Sequence, residues 1–450
     1  MSEYISEPGG QARIVARADV VVVGGGPAGT AAALAAAREG AKTVLLERFP
    51  YLGGLASGGM VLVLDDMTNG SEITVTGLCQ ELVERMARLG LAVFPPAADR
   101  RVAEDMWRKW SRWGVHDFHS QSKPQPITYA VAFDPDGWKR CSLDLIRERK
   151  VELRLQSWFS RTLVKDGRAC GVVCETKAGR EAVLAEMVID ATGDLDVAAS
   201  AGAPFAHGSY ILTTVFRLGG VDTEAAERFQ YEHPARHAEL DRACKKIMGG
   251  SWDMWWLKTP LPGVVWCNCP HMAGYDGIKV EDLTRAEVEG RRRIYALLDH
   301  LRSTPMPGFE RCHVIDVAPQ TGVRQTRLLE GEYVVSKEDV VERVHFADSV
   351  ARGRDYYTPY RALLPRGVDN LLVAGRHYSA TSQAQKISRE IPPCMAMGEA
   401  AGIAATMALS SGVAPRAVEV GALQRRIRAH GGDPGDRPSA NAKTLPAAAE

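Results

Sequence analysis

Apolar and amphipathic segments alternate along the first part of the chain. Asp19–Val23 contains an unbroken run of valines and predicts a strand, and Thr43–Leu46 predicts a second one. Between them, Pro27–Glu39 is rich in alanine and predicts a helix that Gly40 would end. Strand, helix and strand in this order favour an α/β domain.

The same patterns continue into the middle of the chain. Apolar positions at helical spacing predict a helix over Leu78–Leu89, and Asp134 is placed to cap another over Pro135–Arg149. The dipeptide Asp166-Gly167 is a hairpin signal within a group of short strands. These strands are predicted at Val151–Leu155, Arg161–Lys165, Cys170–Glu175 and Ala182–Asp190.

Two segments depart from this alternation. Trp107, Trp110 and Trp113 recur at every third position among charged residues, which indicates an amphipathic helix with its tryptophans in the core. Farther on, long helices are predicted near Thr223–Ile247 and Leu283–Leu301. The second segment also contains four tryptophans, which either shape an apolar pocket or fill the segment's own small core: Trp252, Trp255, Trp256 and Trp266.

Composition narrows the class of protein. The 450 residues suffice for about two or three structural units, and 55 basic side chains balance 55 acidic ones. Zero net charge argues against a nucleic-acid partner. The polar start of the chain and the absence of apolar runs of about 18 residues predict a cytoplasmic protein with no membrane partner. The nine cysteines include no CxxC pair, so we expect no metal site.

The most informative motif joins the first strand to the first helix. In the segment from Gly24 to Gly29, the glycines at positions 24, 26 and 29 form a GxGxxG dinucleotide-binding turn. The first glycine allows the turn, the second lets a diphosphate approach, and the third lets helix and strand pack closely. Glu47 ends the second strand, where its carboxylate can accept hydrogen bonds from the adenosine ribose. The sequence therefore predicts a dinucleotide whose phosphates lie at the helix N-terminus.

Later motifs make the chain resemble the two-dinucleotide-binding flavoprotein superfamily, which includes glutathione reductase and fumarate reductase. They are Gly53-Gly54 after Glu47-Arg48, the strand end Ala191-Thr192-Gly193-Asp194, and the late strand Asn370–Ala374 followed by Gly375-Arg376. Further segments are more specifically similar to the bacterial FAD-dependent oxidoreductase family: Thr321–Arg327, Glu330–Val334, Tyr360–Pro365 and Pro393–Gly402.

The resemblance implies a Rossmann-like, three-layer FAD-binding domain of the glutathione reductase type with an inserted α+β substrate or cap domain. The FAD-binding domain would comprise residues 1–95, 151–205 and 311–412. Residues 96–150 would form a helical cap segment and 206–310 the inserted domain. Residues 413–450 would hold a C-terminal helix and a tail, disordered from Gly431 onward because it is rich in Gly, Pro, Ala and Asp.

The resemblance also implies the cofactor, FAD, and its contacts. We expect Pro393 to begin a helix whose positive end faces the flavin pyrimidine edge. The expected contact residues are Gly24, Gly26, Pro27, Ala28, Gly29, Glu47, Arg48, Gly53, Gly54, Leu55, Phe159, Ala191, Thr192, Gly193, Asp194, Gly375, Arg376, Pro393 and Met395.

Catalytic candidates flank the late flavin strand. His377 has a pKa suited to acid–base work, and Tyr378 could hold a substrate oxygen, although both could equally be structural. Arg327 or Arg361 could clamp a substrate carboxylate or carbonyl, or could pair with a local acid. Further candidates are Arg389, the tyrosines Tyr356, Tyr357 and Tyr360, and His207, which could also carry a covalent flavin link.

The leading hypothesis is a dehydrogenase or reductase that moves a hydride between a small organic substrate and flavin N5. Only one GxGxxG region occurs, so no dedicated nicotinamide domain is expected. Alternatives are a flavin monooxygenase or halogenase, a scaffold of the same fold without redox chemistry, and a tRNA-modifying flavoprotein. A homodimer is expected from the family, whereas the substrate and the electron donor or acceptor stay open.

Overall fold

The computed structural model describes residues 10–70, 72–118, 120–251 and 254–444, and its largest sheet has seven strands. These are β1 (Arg13–Val23), β2 (Thr43–Leu46), β3 (Glu152–Arg154), β4 (Trp158–Lys165), β5 (Arg168–Thr176), β6 (Gly179–Asp190) and β7 (Leu371–Val373). They lie in the order β3-β2-β1-β6-β5-β4, and β7 pairs with the end of β6.

Parallel and antiparallel pairing divide this sheet. Strands β3, β2, β1, β6 and β7 pair in parallel, so their carboxyl ends meet at one edge. Strands β4, β5 and the first half of β6 pair antiparallel, and Asp166-Gly167 turns between β4 and β5 as predicted. The fold is therefore the expected α/β class with a Rossmann-like parallel core.

The valines of β1 supply both faces of the sheet. Residues Val20 to Val23 are at most 3% exposed, as expected for a central parallel strand. Val20 and Val22 pack with the helices α1 (Pro27–Arg38) and α2 (Ile391–Ser411). Val21 and Val23 face a second core formed partly by β5 and β6. Alternate residues of one strand thus join two layers.

Helices α1 and α2 pack backbone to backbone because α2 carries glycine on the contact face. A Cβ atom at Gly398 would lie 2.0 Å from the carbonyl oxygen of Ala28, and one at Gly402 would lie 2.3 Å from that of Ala32. The glycines of α2 therefore let α1 approach closely.

Further helices and strands of the described chain surround this core. The helices are Gly54–Ser57, Leu78–Arg88, Glu104–Trp110, Pro135–Glu148, Asp196–Ser200, Thr223–Glu232, Pro234–Ile247, Val280–Ser303, Lys337–Val341, Ser382–Ser388 and Val420–Ala429. The smaller strands are Val63–Leu64, Thr68–Asn69, Glu72–Ile73, Ala92–Val93, Val131–Phe133, Phe205–His207, Leu212–Thr213, Phe216–Gly219, Leu257–Lys258, Val265–Cys267, His271–Met272, His313–Val317, Gly322–Val323, Arg327–Leu329, Val344–His345, Ser349–Arg352, Tyr357–Pro359 and Lys443–Thr444.

The tryptophan-rich segment, residues 206–310, has a core of its own. A four-stranded antiparallel sheet, which includes Phe216–Gly219 and Val265–Cys267, packs against the helix Val280–Ser303 and its neighbours. Trp255 and Trp256 are buried in this core, which favours the packing interpretation for them. Trp266 packs in the main core, and Trp252 lies outside the described residues.

Two sequence predictions need correction. The helix expected over Thr223–Ile247 is broken at His233, because Pro234 cannot donate a backbone hydrogen bond and disfavours helical geometry in the preceding residue. Residues 431–444 were expected to be disordered, yet they pack on the protein. Ser349 Oγ donates to the carbonyl oxygen of Pro434 at 2.8 Å, and Lys443–Thr444 pairs with Val344–His345. No helix within the described ranges is long and apolar enough to cross a bilayer.

Candidate functional site

A cavity of about 950 Å³ opens at the carboxyl edge of the parallel strands. Its walls are formed by the segments that follow β1, β2, β6 and β7, which is where open α/β sheets bind ligands. From there the cavity extends to Arg389 and Glu390 at the N-terminus of α2. The site therefore joins the strand ends to the start of one long helix.

The glycine turn after β1 has separate tasks at its three positions. Gly24 has φ +103°, and a Cβ there would lie 2.4 Å from the carbonyl oxygen of Ala191. A Cβ at Gly29 would lie 1.7 Å from the carbonyl oxygen of Gly24, so this glycine allows helix and strand to touch. At Gly26, by contrast, the nearest protein atom would be 3.9 Å away. Gly26 therefore keeps space free for a ligand, as a diphosphate at the start of α1 requires.

Glu47 lies in the cavity wall with its carboxylate held by the backbone. Its Oε2 atom accepts from Gly25 N–H at 2.6 Å, and Oε1 accepts from Phe49 N–H at 2.8 Å. Burial raises the pKa of Glu47, and these two N–H donors and the Arg48 charge oppose that shift. Each carboxylate oxygen has a second lone pair, so ribose hydroxyls can still donate to it.

An aromatic group borders the cavity beyond Glu47. The guanidinium of Arg48 lies 5.0 Å from the ring centroid of Phe49 and 5.5 Å from that of Trp158. Trp158 and Phe159 both line the cavity at the start of β4. Trp158 is 53% exposed, a large exposed aromatic surface next to the dinucleotide turn. A flat heterocycle such as adenine would fit this chemistry.

Charged side chains connect the segments that follow β6 and β7. Arg376 Nη2 donates to Asp194 Oδ1 at 2.8 Å, and Thr326 Oγ1 donates to the same oxygen at 2.8 Å. Burial opposes ionisation of Asp194, but Arg376 and Arg48 hold its pKa below the usual value. Arg327 Nη1 donates to the Asp194 carbonyl at 2.9 Å and to Asp196 Oδ1 at 2.8 Å. Arg327 lines the cavity, and its contacts with Asp194 and Asp196 stabilise the cavity wall.

Most of the expected cofactor contacts line this one cavity: Gly24, Gly26, Pro27, Ala28, Glu47, Arg48, Gly54, Leu55, Phe159, Ala191, Thr192, Gly193, Asp194, Gly375 and Arg376. Gly29, Gly53, Pro393 and Met395 are not among the lining residues. Gly53 serves packing instead, since a Cβ there would lie 2.5 Å from Trp138 Cδ1. At the start of α2, Ile391 and Cys394 line the cavity in place of Pro393 and Met395.

His377, Tyr378 and Arg361, three predicted catalytic residues, do not line the cavity. His377 is 0% exposed, and its Nε2 lies 3.1 Å from the Asp190 carbonyl while its Nδ1 accepts from Leu195 N–H at 3.2 Å. Tyr378 is buried and its hydroxyl lies 2.6 Å from Ser388 Oγ. Arg361 is held by Asp348 through two contacts of 2.9 and 3.1 Å. These contacts support structural roles, because both ring nitrogens of His377 and the guanidinium of Arg361 already bind groups of the protein itself.

His207 also lies apart from the cavity lining. Its side chain is 47% exposed, and its Nε2 lies 3.4 Å from Asp276 Oδ1. The strand that contains it pairs with Arg327–Leu329.

The α2 end of the cavity contains groups that sequence reasoning left in the background. Arg389 Nη2 lies 3.6 Å from Glu390 Oε1, and both residues line the cavity. Cys394 Sγ donates to the Arg389 carbonyl, and burial raises the pKa of this thiol to about 12, which excludes a thiolate nucleophile near neutral pH. The one sequence signal for Glu390 is its position immediately before the Ile-Pro-Pro start of α2.

The chain matches one protein-family model and parts of several known enzymes. A family model described as FAD dependent oxidoreductase matches residues 19–356 and 352–427. A fumarate reductase (cytochrome) from Shewanella frigidimarina is 48% identical over 59 residues, covering 12% of this chain and 10% of that protein. A tRNA uridine 5-carboxymethylaminomethyl modification enzyme from Protochlamydia amoebophila is 39% identical over 94 residues, covering 18% and 15%. The matches thus span only 10% to 15% of these relatives' lengths.

Among solved structures, p-nitrophenol 4-monooxygenase from Pseudomonas putida DLL-E4 is similar with a TM-score of 0.51. The alignment has 15% sequence identity and covers 93% of this chain and 85% of that one. At this identity, the similarity concerns the fold alone.

Proposed function

Because the chain belongs to the FAD-dependent oxidoreductase family, with FAD as its cofactor, we propose that it is a dehydrogenase or reductase acting on a small organic molecule. The observation that carries the proposal is the cavity. One end has the glycine turn and Glu47 for a dinucleotide, and the other has the polar pair Arg389 and Glu390. When bound, FAD supplies the hydride-exchanging ring, and the protein supplies orientation and proton handling.

The cofactor-binding part of the proposal rests on the space and the donors that the chain provides. Gly26 and the N–H groups at the start of α1 would hold the diphosphate, and Glu47 would hold the adenosine ribose. The start of α2 would face the ring system with its positive end. Such an end carries the equivalent of about half a positive charge, which suits a ring that becomes anionic on reduction.

We assign substrate binding to the α2 end of the cavity. Arg389 offers a guanidinium, Glu390 a carboxylate, and Gln320 and Thr321 line the cavity as well. Arg327 and Arg376 are committed to Asp194 and Asp196, so we propose that they position the cavity wall. The segment 206–310 has its own core, which is consistent with our proposal that it is a separate substrate or cap domain.

The single GxGxxG turn supports a dehydrogenase or reductase over an enzyme with a dedicated nicotinamide domain. In the proposed reaction the electrons come from the substrate or from a separate donor. The family membership argues against the redox-inactive scaffold that the sequence left open.

Anaerobic flavin bleaching tests the function. Purified protein should be yellow, and one compound of a panel of small alcohols, amines and carboxylic acids should bleach it without oxygen. Bleaching by NADPH followed by insertion of oxygen into an aromatic compound would instead identify a monooxygenase. Protein that binds FAD but is bleached by no panel member would contradict the proposed dehydrogenase activity.

A further inference from the structure

Four apolar side chains line a part of the large cavity to which no role has been assigned above. They are Phe205, Val280, Leu283 and Val323, and together they are called the apolar wall. Val280 is 70% exposed and Phe205 is 42% exposed, so both keep apolar surface open to solvent. Single exposed apolar residues are ordinary on a protein surface, but a group of them along one cavity is typical of a ligand-binding site.

The inserted segment contributes Val280 and Leu283 from the start of its 24-residue helix. The spacing of these two residues and Glu287 places their side chains on one face of the helix. Thr321, which lines the cavity, donates a hydrogen bond from its Oγ1 to Glu287 Oε1. Leu283 also packs in one apolar cluster with Val323, two residues after Thr321. The start of this helix is therefore held beside the cavity by a polar contact and an apolar one.

Phe205 adds an aromatic ring to the apolar wall. It pairs with Leu329 in a two-stranded sheet, and the guanidinium carbon of Arg327 lies 5.8 Å from its ring centroid. Arg327 is itself held by the Asp194 carbonyl and the Asp196 carboxylate, so Phe205 lies next to a well-supported part of the cavity. The apolar wall therefore combines the inserted helix with segments outside the insertion.

We propose, on the basis of the function proposed above, that the apolar wall binds a hydrocarbon group of the substrate, either alkyl or aromatic. The polar group that reacts would lie toward Arg389 and Glu390, which line the same cavity. Ligand sites commonly divide these tasks, because apolar walls supply affinity and a few polar groups fix the orientation. The substrate class is therefore an amphipathic small molecule and not a fully polar one.

The origin of the apolar wall favours the substrate over the cofactor as its occupant. Val280 and Leu283 belong to residues 206–310, which we propose as the substrate or cap domain. None of the four wall residues belongs to the glycine turn or to the start of α2, the two places assigned to FAD. The contact between Thr321 and Glu287 connects the inserted helix to the proposed substrate end, since Thr321 was assigned to that end. The wall is therefore joined to the place where the substrate is proposed to react.

Calorimetric titration of the oxidised holoenzyme tests the apolar wall without turnover. The probes are straight-chain carboxylates, alcohols and amines, each series extended from the ethyl to the octyl compound. In at least one series, each methylene group that the wall buries should tighten binding by about 4-fold. Val280→Asn should weaken binding of the longest members by roughly 3- to 10-fold and leave the shortest unchanged. Val288→Asn is the matched control, because Val288 is 66% exposed on the same helix but does not line the cavity, and it should change neither.

Three results would overturn the proposal: no gain with chain length in any series, the same loss in both variants, or weaker FAD binding by Val280→Asn apo protein, which would assign the wall to the cofactor. With a compound that bleaches the flavin, Val280→Asn should raise the half-saturation concentration by roughly 3- to 10-fold, whereas the limiting rate of reduction should change less. If no compound bleaches the wild type, the proposed function is what fails, and the calorimetry still decides whether the wall binds hydrocarbon groups.

Discussion

Gly26→Ala separates the needs of the ligand from those of the fold. Gly26 has φ −70° and ψ −175°, which alanine adopts without strain, and the added Cβ would have no protein atom within 3.9 Å. The apo protein should therefore gain about 0.4–1 kcal/mol in free energy of unfolding, because alanine restricts the unfolded chain more than glycine does. The same methyl group would intrude on the diphosphate path. An overpacking cost of about 1–3 kcal/mol corresponds to roughly 5- to 150-fold weaker FAD binding.

Titration of apo protein with FAD, followed by fluorescence quenching, measures the affinity, and urea unfolding of the apo form measures stability. Gly29→Ala is the matched control, because its Cβ would lie 1.7 Å from the Gly24 carbonyl oxygen and should destabilise the apo fold itself. Gly26→Ala protein that binds FAD as tightly as the wild type would refute the assignment of this space to the cofactor. Loss of apo stability would refute the reasoning about free space.

The other predictions concern three side chains. Glu47→Gln should weaken FAD binding by roughly 10- to 150-fold, because charge-assisted hydrogen bonds contribute about 1.5–3 kcal/mol; unchanged affinity in the fluorescence titration would contradict a ribose contact. His377→Ala should lower the free energy of unfolding by about 1–3 kcal/mol by leaving Leu195 N–H unpaired. The pH profile of flavin reduction should not change, and a lost rate at full stability would restore His377 as a catalytic residue. Burial, followed by repulsion from Glu390, raises the pKa of Asp66 to about 7, so its stabilising contribution is complete below the unfolded pKa of about 4 and is lost as the pH rises through about 7. Asp66→Asn, which tolerates the local φ of +59°, should remove that loss and be more stable at pH 8 by about 2–4 kcal/mol, whereas equal unfolding curves at pH 8 would argue against the raised pKa.

Local sequence determines what could be predicted of the fold. The run Thr43–Leu46 has the predicted bounds, and the helix expected at Pro27–Glu39 differs from α1 by one residue. The glycine turn and Glu47 were found because their spacing follows directly from one strand–turn–helix unit. The break at His233 was missed although Pro234 was a visible signal for it.

The substrate end of the cavity could not be predicted in the same way. It forms where Arg389 and Glu390 line one cavity with Gln320 and Thr321, and the periodicity of the sequence does not record such contacts between distant segments. His377 was chosen because it follows Gly375-Arg376 in the sequence, but adjacency in the sequence does not show which way a side chain points. The chain turns the imidazole into the core beneath Asp190, where burial and two backbone contacts hold it.

The glycine seam between α1 and α2 couples the two halves of the enzyme mechanically. With Gly398 and Gly402 seated against the backbone of Ala28 and Ala32, neither helix can shift without displacing the other. In the proposed binding mode, the contacts to the nucleotide and the placement of the redox ring are therefore set as one unit. Substitutions that adapt such an enzyme to new compounds are then expected in the peripheral segments, since one extra methyl group along the seam would shift α1 and α2 together.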